Sequence, residues 1–285
     1  MPRAVFKQAL AFVQRSNITQ IRILGGEPTL HPRFVEFIEL ALAMELPIRL
    51  FSNGAMPETA LDCLSRLHKE KITIIVNVTR LSDPENIDLP VLADVFTRLG
   101  DKIIPGFNIS NLFQDLSFIF DLVVKYDFQN TIRLGIAHPC MGNKNEHLAT
   151  GSLVRTGRKI AEFAKQAVQK GIKINLDCGF TPCMFAGYDL KELGLNEDMG
   201  THCQPILDIL PDGRVVACFA LCNWGKRSFK ESNAETLRHE FSESLSAFQT
   251  IGVFKTCSIC EYKKRDLCTG GGVCRKISRL SLHQR

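Results

Sequence analysis

The cysteines carry the strongest chemical signal in these 285 residues, because nine of the eleven fall within residues 178–274 and only two in the first 177. Cys257-x2-Cys260 places two thiols on one tight turn, from which both sulfurs reach a single centre; Cys268 and Cys274 follow, with Gly270-Gly271-Gly272 between them. Cys203 and Cys218 flank "QPILDILPDGRVVA", two alternating runs joined at Pro211-Asp212-Gly213. A hairpin there brings its two ends, and both thiols, together. Cys178-x4-Cys183 completes a set of eight candidate metal ligands, enough for two four-coordinate centres, and Cys222 is a ninth thiol without assignment. All-thiolate ligation suits zinc or an iron–sulfur cluster, and ligand type does not separate them. Cys63, inside a leucine-rich helical pattern, reads as a small core residue, and Cys140 in "HPCMGN" as structural. Trp224, Phe34 and Phe37 suit packing better than base stacking.

A second constellation lies near the start, in "IRILGGEPTLHP". Two glycines at a strand end let the backbone approach a ligand closely, and the carboxylate of Glu27 directly after them can accept from an ammonium group. That combination fits a zwitterion better than a phosphate, which would call for a lysine or a longer glycine loop. The plain alternative is an ordinary βα turn with a solvated glutamate.

The elements that must position these residues are legible as a rhythm. Five β-branched runs, "TQIRILGG", "LPIRLFSNG", "KITIIVNVTR", "DKIIPGFNIS" and "NTIRLGIAHP", carry isoleucines at 21, 48, 72, 103 and 132, each interval the length of a strand, a helix and two loops. Amphipathic patterns at residues 34–43 and 60–68 fill the gaps, with Pro32 suited to the first turn of the former. A looser sixth unit has a helix at 153–169, Gly171 as its stop and the strand "IKINL". The runs are nearly continuous in apolar character, as a parallel sheet covered by helices requires. They end in polar residues, among them Ser52, Asn53, Asn77 and Asn108, and ligands bind at the carboxyl ends of such strands. The first element is instead a helix at residues 3–15, with Val5, Phe6, Ala9, Leu10 and Val13 on its apolar side and no strand ahead of it.

Composition narrows the classes. With 45% hydrophobic residues the chain suits one large unit and a smaller appendage, here residues 1–177 and 178–285. The net charge of +5 is spread without long runs, which argues against nucleic acid as a partner. No apolar run approaches a bilayer span, and "MPRAVFKQALAFVQRSN" lacks a small-residue cleavage site, so a cytoplasmic protein with reduced, metal-ready thiols is expected.

Taken together, "RILGGEPTLHPRFVEFIELA" and "IRLFSNGAM" resemble the second and third β/α units of radical S-adenosylmethionine (radical SAM) enzymes, GGEP motif included. Cys203-x9-Gly213-x4-Cys218, Cys257-x2-Cys260, Cys268 and Cys274 look like the SPASM extension of a subset of that family. The resemblance covers nearly the whole chain. It implies an α/β fold, a partial (β/α) barrel with its first strand missing and a cysteine-rich SPASM-like region after it. It also implies S-adenosylmethionine held at the turn Gly25, Gly26, Glu27, Pro28, with Ser52, Asn53, Asn77 and Asn108 as further cofactor or substrate contacts. Cys178, Cys183, Cys203, Cys218, Cys257, Cys260, Cys268 and Cys274 would ligate one or two auxiliary [4Fe-4S] clusters. The family's chemistry is reductive cleavage of the sulfonium to a 5′-deoxyadenosyl radical, which abstracts hydrogen from a peptide, protein or small-molecule substrate, with an electron donor as a further partner.

The departures are as informative. The CxxxCxxC loop that holds the radical-generating cluster in the family occurs nowhere in these residues. In the family it follows the first strand, so the missing strand and the missing loop are one absence. Three readings follow: a truncated chain, a split protein with a separate N-terminal fragment, or a degenerate relative that no longer cleaves the cofactor. The gaps after Cys260 and Cys268 are longer than usual for the extension, and no cysteine follows Cys274. Whether the chain is an enzyme is open on these grounds, no catalytic residue can be named, and a non-catalytic zinc- or iron–sulfur-binding protein is the competing class.

Overall fold

A computed structural model of the chain describes residues 1–82, 89–142, 144–195 and 199–282. Six parallel strands form the main sheet in sequence order: β1 (Ile21–Ile23), β2 (Ile48–Ser52), β3 (Ile72–Asn77), β4 (Ile103–Ile109), β5 (Thr131–Ile136) and β6 (Lys173–Leu176). Each connection is helical: α1 (Arg3–Arg15) precedes β1, and α2 (Phe34–Leu42), α3 (Glu58–Arg66), α4 (Leu89–Leu99), α5 (Phe118–Lys125) and α6 (Leu153–Gln169) alternate with the strands. The sheet is open, a partial barrel in which β6 is not joined to β1. No described helix is long and apolar enough to cross a membrane.

The register follows from side-chain alternation. Ile21 pairs with Ile48 and Ile48 with Ile72, so the β-branched residues line up on the face that meets the helices. Ile48, Leu50, Ile74, Val76, Phe107, Ile132, Leu134 and Ile174 are buried there against Phe37, Leu64, Phe96 and Ile160. The alternate residues, among them Arg22, Arg49, Phe51, Asn77, Asn108, Arg133 and Asn175, face the concave side. Helix α6 spans the residues expected and ends where Gly171 takes φ +67, a conformation that costs other residues more. Pro32 lies in the turn just ahead of α2, whose N-cap is Arg33.

The second region is built differently. Short strands β7 (Asp208–Ile209), β8 (Arg214–Val216) and β9 (Arg227–Ser228) make an antiparallel sheet, with Pro211-Asp212-Gly213 in the first turn as the alternating pattern requires. Helices α7 (Ala234–Thr250), α8 (Glu261–Lys264) and α9 (Val273–Leu282) follow. Phe12, Val215, Phe229, Leu237, Phe241 and Ile277 share its core.

Helix α1 belongs to both cores. Phe6, Leu10 and Val13 pack with the sheet's helices, Phe6 stacked on Phe37 at 4.2 Å, while Phe12 meets Phe229 edge-on at 5.6 Å on the other side. Arg15 then donates to the Ser232 and Lys230 carbonyls at 2.9 and 3.0 Å, and to that of Phe229. The turn at 182–185, which carries Cys183, lies directly on α6. Gly157 makes that approach possible, because a Cβ there would sit 2.1 Å from the Met184 carbonyl oxygen.

Candidate cofactor site and cysteine quartets

The glycine turn stands at the carboxyl end of β1, and Glu27 fastens it. Its Oε1 accepts from the Thr29 amide at 3.1 Å and hydroxyl at 2.6 Å, and its Oε2 from the Ser52 hydroxyl at 2.9 Å and Asn53 amide at 2.6 Å. The carboxylate thus caps the short turn Pro28–Leu30, with Pro28 at its first position, and rivets it to the end of β2. Four donors occupy its acceptor sites, so in this geometry Glu27 shapes the turn, leaving the backbone of Gly25 and Gly26 to meet a ligand. Both glycines are exposed, neither has positive φ, and an added Cβ at either would meet nothing within 4 Å. No described residue requires glycine at these two positions. A ligand laid against the backbone would, and this is the fit expected for the aminoacyl end of S-adenosylmethionine.

The polar strand ends gather beside the turn. Buried Ser52 accepts from the Gly54 amide at 2.9 Å while donating to Glu27; the Asn53 side chain accepts from Ala55 N at 2.8 Å. Asn77 accepts from Thr79 N at 2.9 Å, and Thr79 Oγ1 in turn accepts from Asn108 N at 2.8 Å. The Asn108 side chain accepts from Arg133 Nη1 at 3.2 Å. Arg133 also pairs with Asp177 and lies 5.5 Å from the centre of the Phe51 ring. Its guanidinium therefore reaches from β5 across the concave face towards β2, past Gly135, where a Cβ would come within 3.4 Å of it and 2.6 Å of the Asn108 side-chain oxygen.

All eleven cysteines are unpaired thiols, and proximity sorts eight of them into two groups. Cys178 lies within electrostatic reach of Cys274, Cys203 and Cys218, and Cys183 within that of Cys257, Cys268 and Cys260. The second group lines one pocket, together with Thr181, Val253 and Tyr262. The pairing is not the order of the chain: Cys274 joins the hairpin cysteines, and Cys183 joins the CxxC turn. Among the described residues no three His, Cys, Asp or Glu side chains converge on a point where one metal ion would sit. Two thiolates on a single zinc stand roughly 3.8 Å apart. A four-iron cluster holds its ligands farther apart, since irons and sulfides fill the space between them.

Burial pushes the Cys218 and Cys274 thiols up to about 12, and the Cys178 thiol higher still, so charge must come from a cation before these sulfurs ionise. The chain places cations there. Arg275 and Lys276, directly after Cys274, are 4% and 2% exposed. Lys276 donates to the Thr269 carbonyl at 2.6 Å and lies within reach of Cys203, Cys268 and Cys257, hence between the two groups. Arg275 donates to the Leu148 and Ala137 carbonyls, and its Nε is buried without a partner. Buried cations beside thiols are costly unless the thiols become anionic, which cluster ligation brings about. The donor sets therefore fit clusters, and backbone amides already point at two of the sulfurs: Gly270 N lies 3.3 Å from Cys268 Sγ and Val273 N 3.5 Å from Cys203 Sγ.

Cys63 is half-buried on α3 and packs against the core. Cys140 and Cys222 stay outside both groups and lie near one another, their segments joined by the Met141 amide to the Ala220 carbonyl at 3.0 Å. The sequence reading passed over Arg22, Arg49, Arg133, Arg275 and Lys276. For the first three a signal existed, since "IRI", "IRL" and "IRL" recur at residues 21–23, 48–50 and 132–134.

No family model and no curated protein matches the chain. Solved structures do. Streptococcus suis SuiB bound to S-adenosylmethionine superimposes with a TM-score of 0.68 over 93% of this chain at 13% identity. SuiB bound to the precursor peptide SuiA does so with a TM-score of 0.69 over 95%, again at 13% identity. The chain spans 65% of the length of either SuiB chain. At this identity the shared property is the fold: an open six-stranded parallel sheet covered by helices, arranged as in SuiB.

Proposed function

We propose that this chain is a radical SAM/SPASM-type iron–sulfur protein whose concave sheet face binds S-adenosylmethionine at Gly25 and Gly26, and whose cysteines hold two auxiliary clusters. Residues 1–177 form the cofactor-binding unit in this reading and residues 178–285 the cluster-binding one. The observation that carries it is the conjunction of two features on one SuiB-like fold: an open-faced glycine pair at a strand end, and eight thiols sorted into two quartets around buried cations. What bound S-adenosylmethionine supplies, beside a reduced four-iron cluster, is hydrogen-atom abstraction. No CxxxCxxC spacing for that cluster occurs in these residues, so the parts assigned to this chain are binding, orientation and auxiliary-cluster ligation.

Each residue has a definite part. Glu27 and Ser52 hold the turn so that the Gly25 and Gly26 backbone faces the ligand's ammonium and carboxylate; Asn53, Asn77 and Asn108 supply polar edges for the rest of the cofactor or the substrate. Arg133, fixed by Asp177 and Asn108, keeps the face below the cofactor polar and closed. A peptide is the substrate favoured, because the neighbouring fold has been seen with a precursor peptide bound. The reading is tested by equilibrium dialysis of labelled S-adenosylmethionine against anaerobically prepared protein. Saturable one-to-one binding that is lost in Gly26→Val is expected, and the absence of binding to cluster-loaded protein contradicts it.

A further inference from the structure

The concave face carries charge that cofactor binding does not use. The three Ile-Arg-Ile/Leu triplets place Arg22 on β1, Arg49 on β2 and Arg133 on β5, all on that face by strand alternation. Arg22 and Arg49 are register partners, so their Cα atoms stand about one strand spacing apart, about 4.8 Å. Like charges directly opposed on adjacent strands destabilise a sheet. Yet neither guanidinium forms a hydrogen bond or ion pair with another described residue, and Arg49 Nε is buried without a partner. Burial and the charges of Arg22 and Arg133 press Arg49 towards losing its proton, a further sign of a cation lacking its counter-charge.

Two described carboxylates interact with this set. Asp177, past the end of β6, is committed to Arg133, and Asp208 on β7 is the carboxylate whose charge Arg22 feels. Neither carboxylate is bonded to Arg49, the more enclosed of the first pair. Two neighbouring guanidinia grip a carboxylate through paired hydrogen bonds.

We propose that Arg49 and Arg22 form a binding site for a side-chain carboxylate, Asp or Glu, of the peptide substrate. This rests on the reading that S-adenosylmethionine occupies the glycine turn. With the cofactor's ammonium and carboxylate both facing the Gly25 and Gly26 backbone in that reading, the anion at Arg49 comes from the second reactant.

The test uses fluorescence anisotropy with a fluorescein-labelled (Glu-Gly)4 peptide, its (Gln-Gly)4 counterpart, and the full chain. The acidic peptide is expected to bind at least about tenfold more tightly than the amide one. Arg49→Gln is expected to abolish that preference, Arg49→Lys to restore part of it, and Arg158→Gln, an equal charge change on exposed α6, to leave it within twofold. Arg22→Gln, at an exposed position, repeats the test should Arg49→Gln fail to fold. Equal weakening by Arg158→Gln, or equal binding of both peptides, overturns the proposal. So does loss of S-adenosylmethionine binding in Arg49→Gln with peptide binding intact, which would make the cofactor the source of the anion. If the wild type prefers the acidic peptide but binds no S-adenosylmethionine, the functional reading fails while the carboxylate site stands.

Discussion

The two regions solve the same problem, placing chemistry at fixed points, by opposite means. In the sheet the polar ends of β1 to β4 are held by a large apolar core and by one another: Glu27 joins β1 to β2, and Thr79 joins β3 to β4. No ligand is needed to hold that geometry. The cysteine region has short strands, a four-residue helix and long loops, and at its centre two buried cations sit among thiols. In the proposed function, the first half is a preorganised surface and the second a site whose folding energy includes its metal.

The sharpest way to break this comparison is to remove metal. Chelation under reducing conditions is expected to open amides throughout residues 199–282 to hydrogen exchange while β2 to β5 stay protected; uniform exposure of both regions would show that they fold as one. Next in size is Glu27→Ala, which deletes the acceptor of four hydrogen bonds, two of them from backbone amides. It should cost about 2–3 kcal/mol in denaturant melts and weaken S-adenosylmethionine binding at least about tenfold. Stability unchanged within error would contradict the riveting role.

Lys276→Met has a sign that depends on loading. In metal-free protein it removes an uncompensated buried ammonium and should stabilise by about 1–3 kcal/mol; in loaded protein it removes the counter-charge and should destabilise. The same sign in both states argues against Lys276 as counter-ion to the clusters. Acidity adds a graded effect, because thiols raised to about 12 must release protons to bind metal. Metal affinity should therefore rise as pH increases from 6 to 8, and a flat profile would mean that the thiols are already ionised. Smallest is Gly26→Ala. The open space around it predicts a change within about 0.5 kcal/mol in stability, with S-adenosylmethionine affinity nonetheless reduced.

Much of this was legible in the sequence, and what was not has physical reasons. The strand runs, α1, α6 with Gly171 and the hairpin turn follow from local periodicity and turn chemistry, which a linear reading captures. The role of Glu27 was half visible. Its place after two glycines marks a turn, but the Ser52 hydroxyl and Asn53 amide it accepts from beyond that turn are at the end of β2, about 25 residues away. Which cysteine joins which group was not readable, because spacing within a loop says nothing of the surface that the loop packs on. Cys183 meets the CxxC turn only because its own turn lies on α6 at Gly157. The arginines were missed for another reason: reading strands as apolar runs treats a charged alternate residue as an interruption, whereas on an open parallel sheet it is the face that meets a ligand.

The central claim, two cysteine quartets that hold iron–sulfur clusters, is tested most directly by iron, acid-labile sulfide and zinc analysis of anaerobically reconstituted protein, alongside Cys274→Ser and Cys183→Ser. The account predicts about eight irons and about eight sulfides per chain. It predicts that either substitution removes about half, and that the double variant removes nearly all. Zinc in place of iron with no acid-labile sulfide, or losses that do not divide between the two variants, would contradict it.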